Sequence, residues 1–281
     1  MSQSDKAKRF RALHQRQASF VIPNPWDVGT ARILAGMGFE ALATTSAGLA
    51  FSLGLPEGSV SRDQTLTHCR QIVAATDLPV SADLEKGFGD SPLSVADAVR
   101  AAAETGLVGC SIEDHTNRGD DPIFEFGLAV ERIAAAAEAA RSLPHDFILT
   151  ARCENFLWGR PDLDDTIKRL QAFETAGADV LYAPGLHDLD TIRTMCGALS
   201  KPVNVVMGMP GATFGVADLT GAGIVRISVG SALCRAAFGT FVEAAKEIRK
   251  SGTFGFADNA IGFSELENYF REFTDTRESD S

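Results

Sequence analysis

Three short stretches of this 281-residue chain combine acidic and basic side chains in a way that suggests work on a charged ligand. The first, Ser81-Ala82-Asp83-Leu84-Glu85-Lys86-Gly87-Phe88-Gly89, closes a β-rich run, and period-two alternation puts Asp83 and Glu85 on one face if the strand extends that far. The next run closes with Ser111-Ile112-Glu113-Asp114-His115, and the one after it with Thr150-Ala151-Arg152-Cys153-Glu154-Asn155. Carboxylates crowded together repel one another unless a cation neutralises them, and an oxygen-only set favours Mg2+ or Mn2+ over zinc. Asp83, Glu85 and Glu113 are therefore the expected metal ligands; helix caps and solvated loop charges are the plainer reading of the same residues. Arg152 can grip a substrate carboxylate through two parallel N–H bonds, or pair with Glu113 or Glu154. Cys153, one residue out of phase, should point to the helix layer and serve packing.

Two further segments add polar groups. Thr44-Thr45-Ser46-Ala47-Gly48 is a hydroxyl-rich turn; its N–H groups either hold a carboxylate or oxyanion, or simply form a capped turn. Asn204 interrupts the apolar Val203-Asn204-Val205-Val206, and a buried amide needs a defined partner or a ligand. Among the histidines, His115 alone is placed beside the acidic residues; His14, His68 and His187 read as surface residues and His145 as preceding a strand at the opposite end. Gly230, in Ile227-Ser228-Val229-Gly230-Ser231, allows a second reading as a phosphate turn.

The elements that must position these groups alternate along the whole chain. β-rich runs fall at residues 20–22, 41–45, 79–83, 108–113, 147–152, 179–182, 202–206 and 224–229, with helical patterns between them such as Leu66, Cys69, Val73 and Leu163, Ile167, Leu170, Phe173. Helix starts are marked by Ser61 with Gln64, Ser94 with Asp97, and Asp162. Gly38, Gly106, Gly177 and Gly223 each end a helix just before an even-numbered strand, and Pro79, Pro144 and Pro202 precede three others. Eight such units with short links predict an α/β fold, a (β/α)8 TIM-type barrel forming one domain over residues 1–281, in preference to an open doubly wound sheet. Residues 5–17 read as an N-terminal helix covering the barrel base. Residues 254–281 read as a helical tail whose Phe263, Leu266, Tyr269, Phe270 and Phe273 need something to cover them, such as a second subunit.

Composition narrows the partners. Net charge is -11, which disfavours nucleic acid and anionic lipid. No apolar run approaches the roughly 20 residues of a membrane span, and the polar N-terminus is unlike a signal peptide, so a cytoplasmic protein is expected. Five dispersed cysteines predict reduced thiols rather than a disulfide framework or zinc site.

These motifs, in this order, resemble those of the isocitrate lyase and phosphoenolpyruvate mutase superfamily over essentially the full length. Asp83-Leu84-Glu85-Lys86-Gly87-Phe88-Gly89 is similar to its Asp-x-Asp-x-Gly-[Tyr/Phe]-Gly segment, with Glu85 replacing the second aspartate. Ile112-Glu113-Asp114, Ala151-Arg152 and Ala176-Gly177-Ala178-Asp179 have counterparts there too. The resemblance implies a Mg2+-dependent barrel working on 2-oxo acids through a metal-stabilised enolate, often as a homotetramer exchanging a C-terminal helix. It implies Asp83 as the most direct metal ligand, Glu85 and Glu113 acting directly or through water, and Glu57 further out. Thr45, Ser46 and Ala47 would hold the substrate carboxylate and carbonyl region, with Arg152 completing the clamp. The departures matter equally. Isocitrate and methylisocitrate lyases carry a cysteine general acid in the loop that here reads His115-Thr116-Asn117-Arg118-Gly119-Asp120-Asp121-Pro122, and phosphonate-forming mutases often have a histidine where this chain has Ala183-Pro184-Gly185. The expectation is a carbon–carbon lyase or decarboxylase for a small 2-oxo or 2-hydroxy dicarboxylate, oxaloacetate being one case. The alternatives are a phosphonate mutase, an acyl-pyruvate hydrolase, or a non-catalytic 2-oxo acid binding protein.

Overall fold

Gly38, Gly106, Gly177 and Gly223 all adopt positive φ (85°, 93°, 112° and 94°), the left-handed turn that ends a helix and redirects the chain into a strand. The repeat seen in the sequence is thus a repeat of helix exits. The structure is a computed structural model that describes residues 1–211 and 214–278, and for 272–278 the backbone alone.

The strands are β1 Phe20–Ile22, β2 Leu42–Ala43, β3 Val80–Asp83, β4 Gly109–Glu113, β5 Ile148–Arg152, β6 Val180–Tyr182, β7 Val203–Val206 and β8 Arg226–Ser228. All pair in parallel in the order β1-β8-β7-β6-β5-β4-β3-β2. The circuit closes where Ala43 N–H donates to Pro23 C=O at 3.1 Å, giving the (β/α)8 TIM-type barrel. Around it run α1 Gln3–His14, α2 Val28–Gly36, α3 Ser46–Ser52, α4 Arg62–Ala74, α5 Pro92–Ala103, α6 Phe126–Arg141, α7 Leu163–Ala176, α8 Leu189–Gly197, α9 Val216–Gly221, α10 Ala232–Ser251 and the tail α11 Phe263–Glu278.

Ser61 and Gln64 form the reciprocal cap of α4, and Asp162 caps α7 by accepting from Asp165 N at 3.0 Å. The cap of α5 is Ser91 rather than Ser94: Pro92 suits the first helical turn, and Ser94 N donates back to Ser91 Oγ at 3.1 Å.

α1 plugs the barrel base. Its Ala7, Phe10 and Leu13 pack with Phe20, Ile22, Val108, Ile148 and Val180, each large apolar side chain contributing about 1.5–3 kcal/mol by leaving water. Because the last turn of this plug also faces inward, His14 is buried, with Phe10 and Phe20 edge-on to its ring at 4.7 and 5.0 Å, and is not the surface residue its sequence context suggests. His68 is likewise buried, on the inner side of α4. The other core lies between strands and helices, where Ile112, Leu149, Leu181 and Ile227 meet Ile133, Leu170 and Ile192. Strand phase follows: Ile148 belongs to the base core and Arg152 reaches the mouth, whereas Leu149, Ala151 and Cys153 join the outer core.

The tail is not wholly without cover in its own chain. The Tyr269 ring lies over Gly36 of α2, so close that a Cβ on that glycine would be 3.0 Å from Tyr269 Cδ1. Leu266, Tyr269 and Phe270 are half-buried, Phe263 is 80% exposed, and the side chain of Phe273 lies outside the described residues. Among the described residues no helix is long and apolar enough to cross a membrane.

Candidate active site

Asp83, Glu113 and Arg152 are the last residues of β3, β4 and β5, three adjacent strands, which brings them to one mouth. Arg152 is the hub. Its Nη1 is 3.1 Å from Asp83 Oδ1, and its Nη2 is 3.3 Å from Glu113 Oε2 and 2.8 Å from Glu154 Oε1. Its Nε also donates to Glu154 at 2.9 Å, and the group lies 4.9 Å from the centre of the Tyr182 ring. The ion pairing considered for Arg152 is present, with three carboxylates engaged.

Asp83 is held on both oxygens. Ser46 Oγ donates to Oδ2 at 2.9 Å, and Glu85 N–H donates to Oδ1 at 3.2 Å. Glu85 reaches the mouth by another route than strand alternation: β3 ends at Asp83, and Glu85 turns in a left-handed conformation (φ 51°). Burial, then the charges of Asp83, Glu113 and Glu57, push the Glu85 carboxyl up to about 7, and burial with the same neighbours Asp83 and Glu113 raises Glu57. Burial is the larger cause of both shifts, and the like charges drawn together add to it. Among the described residues no three Asp, Glu, His or Cys side chains close into a cage that could wrap an ion by themselves. The donor set instead suits a hard cation that keeps several waters and takes one or two carboxylates directly, the ordinary habit of Mg2+.

Thr45 caps α3, its Oγ1 accepting from Gly48 N–H at 3.2 Å, and Ala47 is buried behind it. Only Ser46 of that turn touches the carboxylates. Asn204 faces inward: Oδ1 accepts from Arg226 Nε at 2.8 Å and Nδ2 donates to Ser228 Oγ at 3.1 Å. Asp114 turns away, accepting from Glu154 N–H at 2.8 Å and pairing with Arg169 at 3.3 Å. Cys153 is fully buried beside that pair, as its strand phase predicts. The N–H groups of Val229 and Gly230, which a phosphate would need, both donate to Asn24 Oδ1 at 2.9 Å.

A mouth cavity of about 490 Å3 is lined by Ser46, Glu57, Glu85, Glu113, His115 and Trp158 among others. His115 stacks on Trp158 (centroids 3.8 Å, 12°), and its Nδ1 is 3.7 Å from Glu113 Oε1. The loop that follows is tied down: Thr116 N–H donates to Pro122 C=O at 2.8 Å, and Lys86 Nζ donates to Thr116 C=O at 2.9 Å. Arg118 pairs with Asp90 at 2.8 Å. A cavity of equal size at the barrel base, around Arg11, Arg141 and His145, contains none of the mouth carboxylates.

Sequence reasoning missed Asn24, Trp158, Tyr182 and, above all, Arg226. The signal for Arg226 was present, since a charged residue inside the apolar run Ile224-Val225-Arg226-Ile227 is the same anomaly that singled out Asn204.

A closed parallel barrel whose strand ends carry carboxylates around an arginine has the build of the barrel enzymes that work at their C-terminal face. Residues 10–249 match the phosphoenolpyruvate phosphomutase family profile, and the chain belongs to that family, within the isocitrate lyase and phosphoenolpyruvate mutase superfamily. It is 30% identical over 211 residues to 2-methylisocitrate lyase of Escherichia coli strain K12, covering 72% of this chain and 70% of that protein. A Burkholderia cenocepacia J2315 protein of known structure, provisionally classed as a lyase/mutase, is 57% identical with a TM-score of 0.93, covering 95% of this chain and 96% of that one. Oxaloacetate acetylhydrolase, solved with its product oxalate, is 25% identical with a TM-score of 0.87, covering 99% and 98%.

Proposed function

We propose that this chain is a Mg2+-dependent carbon–carbon lyase or decarboxylase of a small 2-oxo or 2-hydroxy dicarboxylate. The observation that carries the reading is the gathering of four carboxylates at one mouth: Glu57, Glu85 and Glu113 line one cavity, and Asp83 and Glu113 meet the same Arg152. Asp83 would hold the ion directly, with Glu85 and Glu113 directly or through water. Bound there, Mg2+ would act as a Lewis acid for a 2-oxo carbonyl.

The chain's own groups do the rest. Ser46 keeps Asp83 oriented, its hydroxyl donating to Oδ2 at 2.9 Å and its N–H at 3.4 Å, and it lines the cavity that would receive a substrate carboxylate. Arg152 and Glu113, paired at 3.3 Å, fix the electrostatics of the reacting region. The His115–Trp158 stack walls the mouth and limits water. Positions 115–122 contain no cysteine, and the Ser46 hydroxyl, His115 and water are the proton donors this reading assigns in its place. Loss of CO2 demands less of a protein acid than stereospecific reprotonation, which favours a decarboxylation of the oxaloacetate type. The relatives are consistent with small carboxylates, one being 2-methylisocitrate lyase and another oxaloacetate acetylhydrolase.

A homotetramer or homodimer, with residues 254–281 docked on or exchanged with a second subunit, belongs to the same proposal. Phe241 (68% exposed), Phe254 (65%) and Phe263 (80%) leave much apolar surface for it. The test is a panel of 2-oxo and 2-hydroxy dicarboxylates assayed with Mg2+, then with a chelator, following CO2 and 2-oxo acid products. Turnover that disappears with chelator and returns with Mg2+ is expected; turnover indifferent to chelator overturns the proposal.

A further inference from the structure

Beneath the mouth lies a smaller chamber of about 60 Å3 inside the barrel, walled by Ala43, Ser81, Tyr182, Ser228 and Arg226 and bordered by Asp83, whose charge is met by Arg152 at 3.1 Å. Arg152 borders both spaces. Two guanidinium groups therefore face the chamber, and their charge balance is opposite. Arg152 is met by Asp83, Glu113 and Glu154 within 3.3 Å. Arg226, only 5% exposed, is met by neutral groups alone: Nε donates to Asn204 Oδ1 at 2.8 Å and Nη2 to Thr150 Oγ1 at 2.8 Å, and Nη1 lies 3.3 Å from His14 Nε2. His14 Nδ1 is 2.8 Å from Phe10 C=O, to which it can only donate, leaving Nε2 as the acceptor of a neutral ring. Among the described residues no carboxylate pairs with Arg226.

A guanidinium has five N–H groups, so these three contacts fix its orientation while leaving donors over. A buried charge without a counter-charge is unfavourable until an anion arrives. The chamber has room for roughly four water-sized groups, about a carboxylate with its neighbouring carbon. One planar guanidinium matches one planar monoanion, whereas a doubly charged phosphoryl group would leave excess buried charge. The N–H groups of Val229 and Gly230 are also already taken by Asn24.

We propose that this chamber receives one carboxylate of the ligand, with Arg226 as its cationic floor, so that the ligand is a short dicarboxylate reaching past Arg152 into the barrel. The inference rests on the reading that the mouth above holds a 2-oxo or 2-hydroxy acid.

L-malate and L-lactate test it, because they differ by one carboxylate. By calorimetry with Mg2+ present, the unaltered protein should bind malate at least about tenfold more tightly than lactate, the usual scale of a charge-assisted hydrogen bond. Arg226→Gln should erase that preference while leaving lactate within about threefold, since lactate makes no contact with the floor. Ala43→Val narrows the chamber without touching the bonds of Arg226 and should weaken malate alone; it decides the matter if Arg226→Gln does not fold. Equal binding of the two acids by the unaltered protein, a preference retained in Arg226→Gln, or an Ala43→Val effect that is absent or shared by both acids would overturn the assignment. Failure of the mouth reading shows itself separately, as affinity for both acids that does not change when Mg2+ is chelated.

Discussion

Arg152 and Asp83 meet at 3.1 Å across the intervening strand β4, whose Glu113 completes the triangle at 3.3 Å from the same guanidinium. The triangle joins the ends of three strands, so a change at any corner alters the electrostatics of the whole mouth.

Asp83→Asn should lower Mg2+ affinity by at least about tenfold, because a charged oxygen ligand for a hard cation is replaced by a neutral one. Asp83 lies at the mouth and outside the apolar cores, so the melting temperature should move by no more than about 4 °C. Unaltered Mg2+ binding in the calorimeter would remove Asp83 from the metal site.

Arg152→Ala and Cys153→Ser test strand phase and chemistry together. Loss of Arg152 leaves Glu113 and Glu154 buried without their cation, at a cost of about 3–5 kcal/mol in stability, and should depress turnover of every accepted substrate by about 100-fold or more. Cys153→Ser, just past the end of β5 and packed in the outer core, should cost about 1 kcal/mol and leave kcat/KM within about twofold. Chemical denaturation and steady-state kinetics on both variants check the pair; inactivity of Cys153→Ser with an intact Arg152→Ala would reverse the assignment.

Two buried imidazoles set an acid limit on the fold. Burial, then the charge of Arg226, lowers His14 to about 3, and burial lowers His68, whose Nε2 has no hydrogen-bond partner, to about 4. Both folded values lie below the unfolded value near 6.5, so the unfolded chain binds these protons first. Their effect on stability is absent above about pH 6.5 and grows as pH falls toward 4, by about 1.4 kcal/mol per pH unit for each group. Denaturant midpoints at pH 7.5 and 5.0 should therefore fall less for His68→Leu than for the unaltered protein; an equal fall would show that His68 is not the titrating group.

Deletion of residues after Phe256 should lower the mass of the assembly in sedimentation velocity, because it removes Ile261 and Phe263, exposed by 50% and 80%, from any subunit contact. Since Tyr269 also rests on Gly36, the shortened chain should lose some thermal stability even as a monomer. An assembly of unchanged mass would take the tail out of the interface.

Much of this molecule is legible from local order along the chain. Period-two alternation is a property of the strand itself, so the opposed faces of Arg152 and Cys153 follow from sequence once β5 is recognised. The glycines at 38, 106, 177 and 223 mark helix exits for an equally local reason, since each needs positive φ. Such order also brings Asp83, Glu113 and Arg152 to one end, because parallel strands all finish at the same face. The departures arise where a side chain's surroundings come from distant segments. His14 looks like a residue on a polar helix until that helix enters the barrel base and sets it against Arg226, 212 positions away. Glu85 looks like the next step of a strand that in fact ends two residues earlier, where the chain turns left-handed above Asp83. The pairing of Arg152 with Glu113 or Glu154 is legible in the sequence, but its bond to Asp83 is not, because one strand cannot show that a strand two places away will bring its carboxylate within 3.1 Å of the guanidinium. The contrast between this neutralised arginine and the unpaired Arg226 below it arises only when the barrel closes, because charge balance depends on distance in space and not on separation along the chain.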